Sequence, residues 1–203
     1  MVKTGRPRKF DEDDIIQKAM MLFWERGYEG VSMADLEAAT GLARVSLYNA
    51  IGDKETLFMR ALDGYMEMAR GVLQGCIIDQ DLPALVAFFE GMAEKKPKDS
   101  PANWGCLMVN TVLDVKQMSK QVQTKVTAYR QMLIDGFVSS LTRARTLGQM
   151  QATDAEIESR ANYLLSMMWG NLTTIRLFGD PTALKSGVDA LTETIRMWGT
   201  RAR

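Results

Sequence analysis

Two stretches of this sequence carry side chains spaced for chemistry. In the first, Ser32-Met33-Ala34-Asp35 has the pattern of a capping box with Asp for the usual Glu, and Thr40-Gly41-Leu42 reads as a turn. A short helix from Arg44 to Ile51 stops at Gly52, and Asp53 caps the next, with Lys54 at its first position. Gly41 suits the left-handed backbone that a tight turn between two helices demands. Leu36, Ala39 and Leu47 can bury the inner faces, which leaves the outer face of Ala43 to Asn49 free to enter a major groove. By spacing alone an ordinary helical hairpin fits equally well. Lys54 sets an ammonium beside the free amides of a helix start, a pairing suited to phosphate. In the second stretch, Trp104-Gly105-Cys106-Leu107 puts a thiol at the opening of a helix, where the dipole lowers a thiol pKa. A buried structural cysteine is the competing account, since no base or cation stands near it in sequence.

Other chemistries lack their parts. With no histidine the chain is without the commonest general base and metal ligand. Cys76 and Cys106 are far apart and lack metal-site spacing. No phosphate-binding glycine loop and no nucleophile–base pair can be named. No catalytic residue, metal or cofactor is therefore expected, and the chain reads as a non-enzyme.

The elements that must position these residues are helical throughout, so the expected fold class is all-α with about nine helices. Asp11 caps the first, Phe10 and Ile15 stand at staple spacing, Ile15, Ala19, Leu22 and Phe23 form its buried stripe, and Gly27 ends it. The fourth helix runs from Lys54 to about Gln74 with Leu57, Phe58, Ala61, Leu62, Tyr65 and Met68 as its apolar face. Pro83 opens a helix over Ala84 to Glu94, and Lys95 to Pro101 is a loop. Helices then follow over Trp104 to Lys116, Ser119 to Leu147, Thr153 to Phe178 and Pro181 to about Trp198. This divides the chain into a basic arm (1–9), a helix-turn-helix domain (10–52), a linking helix (53–77) and a distal helical domain (78–203).

Composition sets the compartment and the charge problem. The chain of 203 residues carries 25 basic and 25 acidic side chains, so any basic surface has to be local. From Asp11 to Arg60 only Lys18, Arg26, Arg44, Lys54 and Arg60 are basic, against ten acids. The preceding arm holds Lys3, Arg6, Arg8 and Lys9 with no acid among them. An extended Gly5-Arg6-Pro7-Arg8 can lay its arginines in a minor groove; a merely solubilising tail is the alternative. Two free thiols, no signal peptide and no apolar run long enough to span a bilayer point to the cytoplasm, with no membrane partner.

The stretches GRPRKFDEDD and LFWERGYEGVSMADLEAATGLARVSLYNAIGDKETLF closely resemble the DNA-binding domain of the tetracycline-repressor (TetR) family, with its AcrR-like members nearest. The resemblance is dense over about the first quarter of the chain. Glu37, where many members have alanine, and Ala43, where a serine or asparagine often caps the third helix, depart from the pattern. Loss of that cap costs about 1 kcal/mol locally, with Thr40 or water as possible compensation. The resemblance implies that the third helix reads bases through Ala43, Arg44, Val45, Ser46 and Asn49. Arg44 suits a bidentate contact with guanine, Asn49 adenine, and Val45 a thymine methyl. Tyr48 matches the family's phosphate-binding tyrosine, and Ser32 could join Lys54 at the backbone.

The resemblance also implies a homodimer paired through the last two helices, a palindromic operator, and release by a small-molecule inducer. Tyr163, Leu164, Met167, Met168, Leu172, Ile175 and Leu177 make the eighth helix apolar on more than one side, which suits burial by two subunits. Phe88, Phe89, Met92, Trp104, Met108, Tyr129, Met132, Met168 and Trp169 are candidate pocket walls, with Asn110 and Asn171 as polar anchors. Among fifteen methionines, such stripes equally suit plain core. The expected function is a ligand-responsive repressor. The alternatives are a thiol-sensing regulator working through Cys106, an activator of the same fold, and a helical ligand-binding or scaffold protein without DNA binding.

Overall fold

The computed structural model describes residues 11–114 and 119–199. Nine α-helices occupy them: α1 (Glu12–Arg26), α2 (Met33–Thr40), α3 (Arg44–Ala50), α4 (Lys54–Cys76), α5 (Leu82–Met92), α6 (Leu107–Asp114), α7 (Lys120–Thr146), α8 (Asp154–Phe178) and α9 (Lys185–Met197). Short 3₁₀ turns at Pro101–Trp104 and Pro181–Leu184 precede α6 and α9. Among the described residues the only β-type pairing is a single bridge between Met150 and Gly199. No helix there is long and apolar enough to cross a membrane.

The helix starts follow from side chains that accept the otherwise unpaired first-turn amides. Asp11 accepts from the Asp13 amide, Asp53 from Thr56, Asp81 from Ala84 and Ser119 from Val122. Ser32 with Asp35, and Thr153 with Glu156, form full capping boxes. Gly41 and Gly179 end α2 and α8 in the left-handed conformation, at φ 73° and 64°. The staple expected at Phe10 lies outside the described residues.

Three expectations need correction. The sixth helix starts at Leu107, not Trp104, because Gly105 adopts φ 77° and breaks the chain direction after the Pro101–Trp104 turn. Cys106 is the residue that opens α6: it stands just before Leu107, and its carbonyl accepts from the Asn110 amide at 2.8 Å. The last helix begins at Lys185, because Asp180 and Pro181 first make a separate 3₁₀ turn. In α1 the buried positions are Ile15, Ala19, Met20, Phe23 and Trp24, while Leu22 is only half-buried. The helix packs along α4 on one side and meets the Pro101–Trp104 turn at its far end, which rotates the buried stripe toward Met20 and Trp24.

The head (α1 to α3 and the start of α4) centres on Phe23, whose ring meets Phe58 edge-on at 5.0 Å, with Leu36, Leu47 and Leu62 around them. The distal core joins α5 to α9 and α7 to α8, with Phe89 stacked on Phe137 at 6.1 Å. An aromatic chain connects the two: Trp24 meets Tyr65 at 4.9 Å, and Tyr65 meets Tyr129 at 6.1 Å. Helix α4 runs through both parts, so its 23 residues tie head and distal core covalently.

Candidate nucleic-acid interface

Helix α3 is held by one side and presents the other. Leu47 is buried and Leu42 and Ile51 pack beneath the helix, whereas Val45 is 71% and Tyr48 44% exposed. Ala43, Arg44 and Asn49 are exposed and Ser46 is half-buried. The turn before α3 is fastened by Thr40, whose hydroxyl donates to the Leu36 carbonyl at 2.7 Å and accepts from the Leu42 amide at 3.4 Å. That hydroxyl thus serves the turn and does not cap α3, so the compensation expected of it at the next helix is absent. Ala43 stands at the N-cap with no side-chain bond.

Charge in the head is sorted by ion pairs. Lys18 pairs with Asp14 at 2.7 Å, Arg26 with Asp35 at 3.1 Å and Arg60 with Glu12 at 2.9 Å. The two other cations of this acid-rich head, Arg44 and Lys54, make no ion pair among the described residues, and both lie at helix starts beside the α3 surface. Lys54 is placed by an aromatic ring: its Nζ lies 4.2 Å from the Tyr28 ring centroid. Tyr28 is fixed in turn against Phe58, with ring centroids 4.7 Å apart. Burial, then the carboxylates of Glu55, Glu29 and Asp53, raise the Tyr28 phenol above its ordinary pKa, so the ring stays neutral beneath the ammonium. Sequence reasoning missed Tyr28, because nothing in Gly27-Tyr28-Glu29 signals that the chain folds back over α4.

Ser32 is exposed at the start of α2, and its hydroxyl is 2.5 Å from an Asp35 oxygen. The Ser32 hydroxyl and amide, helped by Arg26, hold the Asp35 carboxyl below its ordinary value. Lys3, Arg6, Arg8 and Lys9 lie outside the described residues.

A second feature lies further along α4, where residues from Tyr65 to Leu73 form part of its wall. An apolar cavity of about 320 Å³ is walled by Trp24, Tyr65, Met68, Ala69, Val72, Leu73, Phe88, Met92, Ala102, Cys106, Tyr129, Leu133, Met168 and Leu172. No wall residue is charged. Met68 and Val72 are exposed and stand at its mouth, although Met68 was expected on the buried face of α4. The Cys106 thiol lies 3.5 Å from the Tyr129 hydroxyl, and burial pushes the Tyr65 and Tyr129 phenols well above their ordinary range. Larger concavities, such as the 660 Å³ groove between α1 and α4, are lined by Asp13, Arg60, Asp63 and Glu67 and open broadly to water.

Of the candidate walls named from sequence, the fold brings Phe88, Met92, Tyr129 and Met168 to this cavity. Phe89 and Met108 are fully buried in the core instead. Met132 faces a separate groove with Ile78 and Gly136. Trp104 packs edge-on to Trp24 at 6.0 Å. Asn110 donates to the Trp104 carbonyl at 2.8 Å, while Trp169 and Asn171 are half-buried on α8 away from the lining. Trp24, Tyr65 and Leu133 were not foreseen, since helix periodicity marks a buried face without saying which neighbour leaves a gap.

Comparison with known proteins settles what family this arrangement belongs to. A model described as bacterial regulatory proteins, tetR family, matches residues 15–61, and one described as tetracyclin repressor-like, C-terminal domain, matches residues 81–191. The chain belongs to the tetR family. It is 28% identical over 198 residues to the HTH-type transcriptional repressor ComR of Escherichia coli K12, covering 96% of this chain and 91% of ComR. It is 28% identical over 202 residues to the repressor AcnR of Corynebacterium efficiens, covering 96% and 97%. Among solved structures, a cysteine-substituted form of the TetR family regulator CifR, complexed with 26-bp operator DNA, matches with a TM-score of 0.76. That pair is 31% identical, with 96% of this chain and 100% of CifR covered. The family consists of DNA-binding transcriptional regulators, so this chain is a regulator and not an enzyme.

Proposed function

We propose that the chain is a homodimeric repressor that binds a palindromic operator through α3 and is released by a small, uncharged, largely apolar molecule. The DNA half is supported by charge: in a head where acids outnumber bases, Arg44 and Lys54 make no ion pair among the described residues, and both flank the exposed face of α3. Arg44 reads guanine from the groove, with Val45, Ser46 and Asn49 on neighbouring bases. Tyr48, Lys54 and Ser32 hold phosphates, and Lys3, Arg6, Arg8 and Lys9 follow the adjacent minor groove.

The homodimer is supported by an apolar surface that α8 and α9 leave uncovered. Leu177, Met197 and Phe178 are 74%, 70% and 64% exposed, and Tyr163 and Met167 are partly exposed at 38% and 37%. Leu164, Met168 and Ile175 of the same helix are buried in their own subunit. A second copy covering the exposed side places two α3 helices on successive major grooves about 34–36 Å apart.

The inducer class is supported by the cavity. Its volume lies at the small end of ligand pockets, and an uncharged wall disfavours ions. The Tyr65, Tyr129 and Cys106 heteroatoms offer a polar end for one hydrogen-bonding group. A thiol-sensing regulator is the second reading, favoured by the place of Cys106 in that same wall.

Sequencing of DNA fragments retained by the purified full chain tests the proposal. An enriched inverted repeat, with guanine at symmetric positions in both halves, is the expected result; retention of DNA without sequence preference contradicts it.

A further inference from the structure

The wall of the cavity includes one residue from the DNA-binding head. Trp24 belongs to the last turns of α1, yet its indole faces the space between α4, α7 and α8. Its Nε1 donates to the Gly105 carbonyl at 3.1 Å in a buried bond that spans 81 residues of sequence. The ring is clamped edge-on between Tyr65 and Trp104. The end of the same helix is held a second time, because the Arg176 guanidinium of α8 donates to the Trp24 and Glu25 carbonyls at 3.3 and 2.7 Å. Both are last-turn carbonyls of α1, where a cation is favoured. Gly105 also lies against α8: a Cβ there would lie 2.7 Å from the Leu172 carbonyl oxygen. Leu172 itself lines the cavity. Three segments distant in sequence thus meet at the inner end of one apolar space.

We infer that Trp24 is both a ligand contact and the residue that couples the cavity to the DNA-binding head, through a latch made of Trp24, Gly105 and Arg176. This rests on the cavity being the inducer site. A molecule that fills the space displaces the indole and opens the bond to Gly105. The C-terminal end of α1 then comes free of α8 and the segment before α6. Helix α1 is one rigid element of 15 residues, about 22 Å long, and its other end packs on α4 and α2. Release at one end reorients the frame that carries α3, and in a dimer that spoils the match to two grooves at once. The ligand shifts the equilibrium only because it binds the unlatched arrangement better than the latched one, where the indole occupies part of its volume.

The test uses the full chain and N-phenyl-1-naphthylamine, an uncharged apolar fluorophore, as the probe. Operator affinity is measured with and without saturating probe, and probe affinity by its own emission. In the wild type the probe should lower operator affinity, by about 5- to 150-fold if the coupling is of ordinary size. Trp24→Phe keeps a ring and removes the donor, so it should weaken operator binding without probe and bring the probe's further effect toward none, while the probe still binds. Arg176→Gln, which loosens the clamp from outside the cavity, should do the same and guards against poor folding of the first variant. Leu133→Ala alters the wall without touching the residues of the latch, and it should change probe affinity. Full wild-type coupling in both Trp24→Phe and Arg176→Gln overturns the latch and leaves the cavity standing. A probe that fails to bind the wild type, or binds without changing operator affinity, overturns the cavity as inducer site and the latch with it.

Discussion

Arg44 and Lys54 differ in what they can read, and this separates their expected variants. A guanidinium in the groove discriminates among bases, so Arg44→Ala should lower operator affinity by about 1–3 kcal/mol and relax preference at one position of each half-site. In the proposed complex Lys54 contributes charge and no base contact. Lys54→Gln should weaken all sequences alike and reduce the log–log salt slope by about 0.9 per subunit. Ala43 leaves α3 without a side-chain cap. Ala43→Ser should therefore raise thermal stability by about 1 kcal/mol, read as a higher melting temperature; no rise would mean that the first-turn amides of α3 already have another partner. The two thiols should separate in a native titration with a disulfide reagent. Cys76 is exposed and should react, whereas Cys106 is buried and should react only on unfolding. Prompt modification of Cys106 in the native chain would favour the thiol-sensing reading.

At the scale of elements, helix starts dominate both stability and legibility. Five carboxylates at such starts, Asp35, Asp53, Asp81, Glu156 and Asp180, are held below their ordinary pKa. The leading causes are the Ser32 hydroxyl, the Thr56 amide, the Gln149 side chain, the Thr153 amide and the Thr182 amide respectively. These bonds favour the charged form in the fold and are missing from the unfolded chain. Their stabilisation is therefore complete above the ordinary carboxyl range and is lost as pH falls through the lowered folded values. With no histidine in the chain, melting temperature should stay nearly level from about pH 5.5 to 8 and drop below about pH 4. A transition centred near pH 6 would contradict this. The same caps made α1, α2, α4 and α8 readable from sequence, because an Asp, Ser or Thr before an apolar-periodic run satisfies amides locally. Where the boundary was set by backbone conformation, it was not readable. Nothing in Trp104-Gly105-Cys106 shows that Gly105 takes φ 77° against the Leu172 carbonyl, and that single conformation moved the start of α6 by three residues. The cavity was legible only in part for a related reason. Periodicity places Phe88, Met92, Tyr129 and Met168 inward, but the gap among them depends on how α4 and α8 pass each other, and Trp24 enters it from another domain.

Across the whole molecule, the exposed apolar side of α8 and the sorted charges of the head make one prediction together. If two copies pair through Leu177, Phe178 and Met197, then Phe178→Glu should yield a monomer by sedimentation with its helical content intact. That monomer should bind a full operator far more weakly, since it loses the second half-site and the effective concentration the dimer supplies. A dimer that persists in Phe178→Glu would locate the subunit interface elsewhere. In the proposed complex a largely acidic head reads DNA through a few placed cations on and beside α3. Fluorescence anisotropy of a duplex carrying the enriched inverted repeat, titrated with the full chain and with Arg44→Ala, measures this. Saturable binding of one dimer per duplex is expected, with a marked loss in Arg44→Ala at unchanged folding. Equal affinity of the two proteins for that duplex would rule out Arg44 as a reader of the site.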